Sequence, residues 1–314
     1  MSHARGDRGA TRPFVRELAG GGAAALTVDV EEWYHTCHVP DYLVPERRPR
    51  LVEELDRLLP ELLERLARTG AAATFFVLGE VASRLPARVR EIAAAGHEVA
   101  SHGHLHLRVN ALAPAAFRRQ LADGKARLED LTGRPVLGYR APEWSLRRLD
   151  NPRLRLVAAA GFAYDSSLVA ALGSGRSDNP RRAVVLSWAD GRELVELPPL
   201  TLGALWLPAG GWTGRLAGAT ALLWAARVHA RAGGVPTFAV HPWELARRPT
   251  PGDLTGLARF LHETGRGSFH DTFERLLGTL RLGTLEAALY GLTPATVAEP
   301  HARVEAEAPL PAAL

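Results

Sequence analysis

The sequence predicts an α/β fold: a single-domain (β/α) barrel of seven strands, distorted or incomplete, over residues 23–298. Two observations predict it. Short apolar runs rich in β-branched or aromatic residues alternate with helical stretches that stop at glycine, the pattern of parallel strands joined by helical crossovers. Ionisable residues also collect at the carboxyl ends of those runs, where a barrel builds its site. The chain has 314 residues, 46% of them hydrophobic, enough for one large core. An open, doubly wound sheet is the alternative arrangement of the same elements.

The seven apolar runs are 25–30 (ALTVDV), 73–78 (ATFFVL), 97–101 (HEVAS), 136–140 (VLGYR), 162–165 (FAYD), 194–197 (LVEL) and 237–241 (TFAVH). The helical stretches are 51–69, 87–95, 114–131, 152–160 and 216–232. Gly70, Gly96, Gly133, Gly161 and Gly233 follow them and suit left-handed caps. Residues 1–22 and 299–314, rich in Gly, Arg, Ala, Pro and Glu without an apolar period, read as disordered tails.

Composition excludes several function classes. The balance of 38 Lys+Arg against 34 Asp+Glu leaves a net charge of +4, and the arginines are scattered rather than blocked. No nucleic-acid footprint follows. The most apolar helix, 216–232, is short and carries Arg227, His229 and Arg231, so no membrane span is expected. The first 25 residues hold no apolar leader. The single cysteine, Cys37, fits a reducing compartment. The cytoplasm is the expected location. Nothing in the sequence speaks to oligomeric state.

The chemistry concentrates at the strand ends. In LTVDVEEW, Asp29 and Glu31 fall on one side of a strand, with Cα atoms roughly 6–7 Å apart. Two such carboxylates can divide labour, one on a metal and one as a base. In SHGHLH, His102 and His106 are spaced i, i+4, which suits two ligands of one Zn²⁺. His104 and His97 read as structural. Arg140 closes its strand as a fixed cation able to hold a carboxylate or a substrate oxygen. Trp144 suits stacking on a sugar or packing in the core. His241 titrates in the neutral range and can act as a general acid, with Trp243 shaping its pocket and Glu244 positioning it or standing exposed. Asp165 can support Arg140 or a histidine by hydrogen bonding. The cluster 34–38, which holds His35, Cys37 and His38, lacks a second Cys and reads as a rim loop, with His35 a substrate contact.

The ordered set TVDVEEWYH, TFFVLGE, GHEVASHGHLH, GYRAPEWS, YDSS and FAVHPWE resembles the polysaccharide deacetylase family, the NodB-homology domain of carbohydrate esterase family 4. Within it the set is closest to the branch found beside bacterial exopolysaccharide and exosortase gene clusters. The resemblance spans about residues 25–285. It implies a NodB-like distorted (β/α)7 barrel, an N-acetylated glycan substrate and a divalent metal, usually Zn²⁺, held by one acid and two histidines. Carried over, Asp29 resembles the catalytic base, His102 and His106 the metal histidines, Arg140 the residue that orients the base, and His241 the general acid. Asp165 resembles the acidic partner of the fourth motif. The familiar first motif has adjacent aspartates, the second binding metal; here Val30 stands in that place, so Glu31 is the expected acidic ligand and Glu32 the second choice. Two other functions fit the same residues: hydrolysis of small C–N substrates such as ureides or cyclic imides, and glycan binding without turnover.

Overall fold

The computed structural model describes residues 12–18, 23–35, 53–171, 175–202, 207–246 and 254–292. Along the chain these form β1 (Phe14–Glu17), β2 (Ala24–Val30), α1 (Leu55–Thr69), β3 (Thr74–Val77), α2 (Gly79–Arg84), α3 (Pro86–Ala94) and β4 (Glu98–Ser101). Next come α4 (Pro114–Thr132), β5 (Gly138–Tyr139), α5 (Arg153–Ala159), β6 (Tyr164–Asp165), β7 (Val184–Ser187), β8 (Glu193–Glu196), β9 (Thr201–Leu202) and β10 (Leu207–Pro208). The chain continues through α6 (Gly211–Arg231), β11 (Thr237–Val240), α7 (Gly256–Glu263), α8 (Arg266–Thr279), β12 (Leu282–Gly283) and α9 (Leu285–Leu292).

All seven expected runs become strands, and they are mutually parallel in the order β8-β6-β5-β4-β3-β2-β11. Strands are added in chain order in one direction, and the last returns to the free side of the first. That is the winding of a barrel; a doubly wound sheet reverses direction midway. The sheet curls without a ladder between β8 and β11 among the described strands. Backbone bonds from the 200–210 segment occupy that side instead: the Leu200 amide donates to the Thr237 carbonyl at 2.9 Å and the Ala239 amide to the Ala209 carbonyl at 3.2 Å. β7 and β1 extend the other edge antiparallel. β1 corrects the reading of 1–22 as a disordered tail, because Phe14–Glu17 pairs with Val184–Ser187. Residues 1–11 and 19–22 of that tail, Cys37, His38 and the 299–314 tail lie outside the described residues.

Side-chain alternation divides the core. Leu26, Val28, Val30, Phe75 and Val77 face the helices. Ala25, Phe76, Ala100 and Tyr164 face inward, where α9 plugs the floor with Leu285, Leu289 and Leu292. The five glycines expected to cap helices all have positive φ, with Gly70 and Gly133 in left-handed C-caps. No helix among the described residues is long and apolar enough to cross a membrane.

Candidate active site

The inward face of β2 presents Thr27 and then Asp29. Both meet Arg140, which is fully buried and sits over the Phe76 ring at 4.2 Å. Its Nη1 donates to Asp29 Oδ1 at 2.7 Å and to Thr27 Oγ1 at 2.8 Å. Its Nε and Nη2 donate to the Ser166 carbonyl and hydroxyl at 3.0 and 2.9 Å. The guanidinium thereby ties the ends of β2, β5 and β6 together and leaves Asp29 Oδ2 directed elsewhere.

Past Asp29 the chain turns sharply, the Glu31 amide donating to the Asp29 carbonyl at 3.0 Å. Glu31 Oε2 then lies 2.6 Å from His106 Nε2 and 3.6 Å from His102 Nε2. One ligand atom from each of these three buried residues lies within 4.8 Å of the others. His102 donates from Nδ1 to the Arg140 carbonyl at 2.9 Å, which directs Nε2 at the cluster. The donor set, two imidazole nitrogens and one carboxylate oxygen, fits a divalent cation. Ligands on a tetrahedral ion with 2.0–2.1 Å bonds stand about 3.4 Å apart. The His102–Glu31 separation already matches, and the His106–Glu31 hydrogen bond has to open by under about 1 Å. Burial pushes the Glu31 carboxyl up, but attraction to His106 and His241 and hydrogen bonds from both cluster histidines outweigh it and hold it well below the usual carboxylate range. Burial pushes His106 down, and Glu31 more than reverses this, so its value is raised.

Glu32 is committed elsewhere. Its two carboxylate oxygens accept from the Glu54 and Leu55 amides at 2.9 and 3.2 Å, capping the start of α1 from across the fold. This separates the two adjacent acids, which the sequence left as first and second choice: Glu31 joins the histidines and Glu32 holds a helix.

His241 completes the arrangement from β11. Its Nε2 is 3.3 Å from Glu31 Oε1 and 4.0 Å from Asp29 Oδ2, and its Nδ1 is 2.9 Å from Glu244 Oε2. Burial lowers its basicity, but Glu244 and then Glu31 raise it to about 9. Glu244 is buried rather than exposed, with Arg215 at 3.4 Å on its other oxygen. The Trp243 ring lies nearly parallel to His241 at 5.4 Å and is itself mostly buried, so it floors the imidazole.

Two expected roles change. His35 is 1% exposed, so it cannot meet a substrate; it lies behind His106, ring on ring at 5.8 Å and 12°. Among the described residues Asp165 makes no hydrogen bond to Arg140 or to a histidine. It accepts from Ser167 Oγ at 2.6 Å, and Ser167 accepts from the Ala141 amide at 2.8 Å, so Asp165 holds the backbone just after Arg140. Asp165 also hydrogen-bonds Glu196, a buried acid that the sequence reading passed over. Burial raises both carboxyls, and the neighbouring Asp165 charge raises Glu196 further. Trp144 is half-buried on a rim turn where Glu143 and Trp144 both take left-handed φ, 52° and 49°. The advance signal for Thr27 and Glu196 is a polar residue inside an apolar run, and for Ser166 the polar stretch 165–167.

Comparison with known proteins sets this geometry in a family. Residues 52–164 match the model of the polysaccharide deacetylase family, and residues 166–290 match a domain of unknown function (DUF3473). A peptidoglycan deacetylase from Helicobacter pylori is 32% identical over 111 residues, 35% of this chain and 37% of that protein. The chain spans about a third of the length of the curated relatives it matches. Among solved structures, a Mycobacterium smegmatis protein described as a polysaccharide deacetylase superposes with a TM-score of 0.59 at 21% identity, over 90% of this chain and 93% of that one. One from Pseudomonas aeruginosa gives 0.58 at 16% identity, over 88% and 92%. Both share the fold, a curled α/β sheet flanked by helices. Asp29 and Glu31 precede the first matched segment, His102, His106 and Arg140 lie within it, and His241 and Glu244 lie in the second, so one site draws on both. Residues 52–164 therefore carry the polysaccharide deacetylase domain match, the NodB, carbohydrate esterase family 4 type that the motif set resembles.

Proposed function

We propose that the protein is a cation-dependent hydrolase that removes N-acetyl groups from an N-acetylhexosamine-containing polysaccharide or its precursor, releasing acetate. The observation that carries this reading is that His241 Nε2 lies 3.3 Å from Glu31 and 4.0 Å from Asp29, with Asp29 and His241 each fixed from behind by a buried group of opposite charge. Glu31, His102 and His106 would hold the cation, with Zn²⁺ the ion best suited to the donor set. When bound, it supplies Lewis-acid polarisation of the acetamide carbonyl and of water.

The remaining work falls to the side chains. Asp29, its Oδ1 pinned by Arg140, takes a proton from the attacking water at Oδ2. His241, its Nδ1 held by buried Glu244, gives the proton on Nε2 to the departing amine. Water adds hydroxyl to the acyl carbon and hydrogen to nitrogen, so acetate and a free amino sugar leave. The motif set's likeness to the exopolysaccharide branch extends the proposal to a bacterial exopolysaccharide. The lone Cys37 supports work in the cytoplasm.

Asp29→Asn tests the assignment. Acetate release from N-acetylated oligosaccharides should fall by about 10²–10⁴-fold, while elemental analysis finds the bound metal unchanged. Retained turnover would refute Asp29 as the base.

A further inference from the structure

The ring behind His106 is held more firmly than packing alone requires. His35 Nδ1 accepts from the Glu32 amide at 3.1 Å, and an amide N–H can only donate, so neutral His35 carries its proton on Nε2. Nε2 lies 3.0 Å from Glu80 Oε1, so the carboxylate stands beside the protonated nitrogen. Tyr34 meets the same imidazole edge-on at 4.8 Å. His35 is thus fixed on its two nitrogens and on one face side, and its plane lies within 12° of the His106 ring.

Glu80 belongs to the first turn of α2, and that turn grips the loop carrying both cluster histidines. The Gly79 amide donates to the Gly103 carbonyl and the Glu80 amide to the His104 carbonyl, each at 3.0 Å. Gly79 permits the approach, since a Cβ there would sit 2.4 Å from His104 Nδ1. One residue therefore touches the 102–106 loop through its backbone and the support of His106 through its carboxylate.

We propose that Glu80 and His35 are positioning residues for the cation, acting through His106: Glu80 orients His35, and His35 fixes the plane in which His106 presents Nε2 to Glu31. The proposal rests on the reading of Glu31, His102 and His106 as cation ligands. A ring free to tilt spends part of its binding energy on being ordered, and partners outside the ligand set are worth about 10–100-fold in metal affinity.

The test is the dissociation constant of the full chain, stripped of metal, for Zn²⁺ and Co²⁺ in competition with a chromophoric chelator. Glu80→Ala should weaken both by about 10–100-fold. Glu80→Gln keeps an acceptor oxygen for His35 Nε2–H and should recover most of the loss. His35→Phe keeps a ring but loses the Glu32 amide bond and the Glu80 contact, and should weaken binding as Glu80→Ala does. The visible bands of the Co²⁺ form should shift in Glu80→Ala and His35→Phe, a change that loss of stability alone does not produce. Wild-type affinity in both of these variants, with unshifted bands, overturns the positioning role while leaving the centre intact. A wild type that takes up neither ion, or one whose affinity survives His102→Ala, overturns the centre itself and the proposal with it.

Discussion

Arg140 makes four hydrogen bonds from a guanidinium with no exposure to solvent, which is more than a lysine could make at one point of charge. Its partners lie 26 to 113 positions away, so no local spacing announces them. The same holds at the opposite end of the barrel, where buried Glu98 accepts from Thr74 Oγ1 at 2.6 Å, Tyr164 Oη at 2.7 Å and the Glu286 amide at 2.9 Å. Burial raises Glu98 from 4.5 to about 7 against the effect of those donors. Because the folded value is the higher one, the stabilising contribution is complete below 4.5 and is lost as pH rises towards 7, by about 3 kcal/mol at most. Glu98→Gln cannot ionise, so it should gain on the wild type between pH 5 and pH 8 in urea unfolding. An equal difference at both pH values would show that Glu98 does not titrate in this window. Asp29, Glu31, His102, His106, Arg140 and His241 were legible because an ionisable residue at the end of an apolar run is unusual. Thr27, Glu80 and Glu196 were not, because a single polar residue in such a run or helix is ordinary and its partner is remote; Ser166 was not, because a serine beside Asp165 is equally ordinary.

At the level of elements, the 102–106 loop is clamped between α2 and α4. Gly124 lies mid-helix in α4, where alanine would normally gain about 1 kcal/mol in helix propensity. Here an added Cβ would sit 2.7 Å from the Gly103 carbonyl oxygen and 2.8 Å from its carbon. Backbone on both sides cannot yield as a flexible side chain does, so the clash decides the sign. Gly124→Ala should lose about 1–3 kcal/mol in stability and weaken cation binding together, measured by thermal unfolding and metal titration. A more stable variant would mean that the loop can move. The seven parallel strands and five glycine-ended helices were readable because each repeats one pattern. β7 escaped because it forms a hairpin with β8, and the strand–helix alternation leaves no place for one. α2 escaped because six residues are too few to show a helical period.

Across the whole molecule, the two segments matched by separate family models share one sheet. β11 pairs with β2, and β8 pairs with β6. A chain cut after residue 165 loses His241, Glu244, β8 and β11, and exposes one edge of β2. Such a chain should lack a cooperative melt by circular dichroism, while the full chain melts in a single transition. Two separable transitions in the full chain would show that the segments fold independently.

The seam between β2 and β11 also sets a timetable for biosynthesis. Thr27 donates to the Phe238 carbonyl across 211 positions. At translation rates of 5–20 residues per second, the strand bearing Asp29 waits about 10–40 s on the ribosome before its last neighbour is made. During that interval a strand that is buried along its whole length in the finished fold offers an open ladder to any passing chain. Nascent chains arrested near residue 230 should therefore be protease-sensitive and bound by holdase chaperones, and those arrested well past residue 292 should be neither.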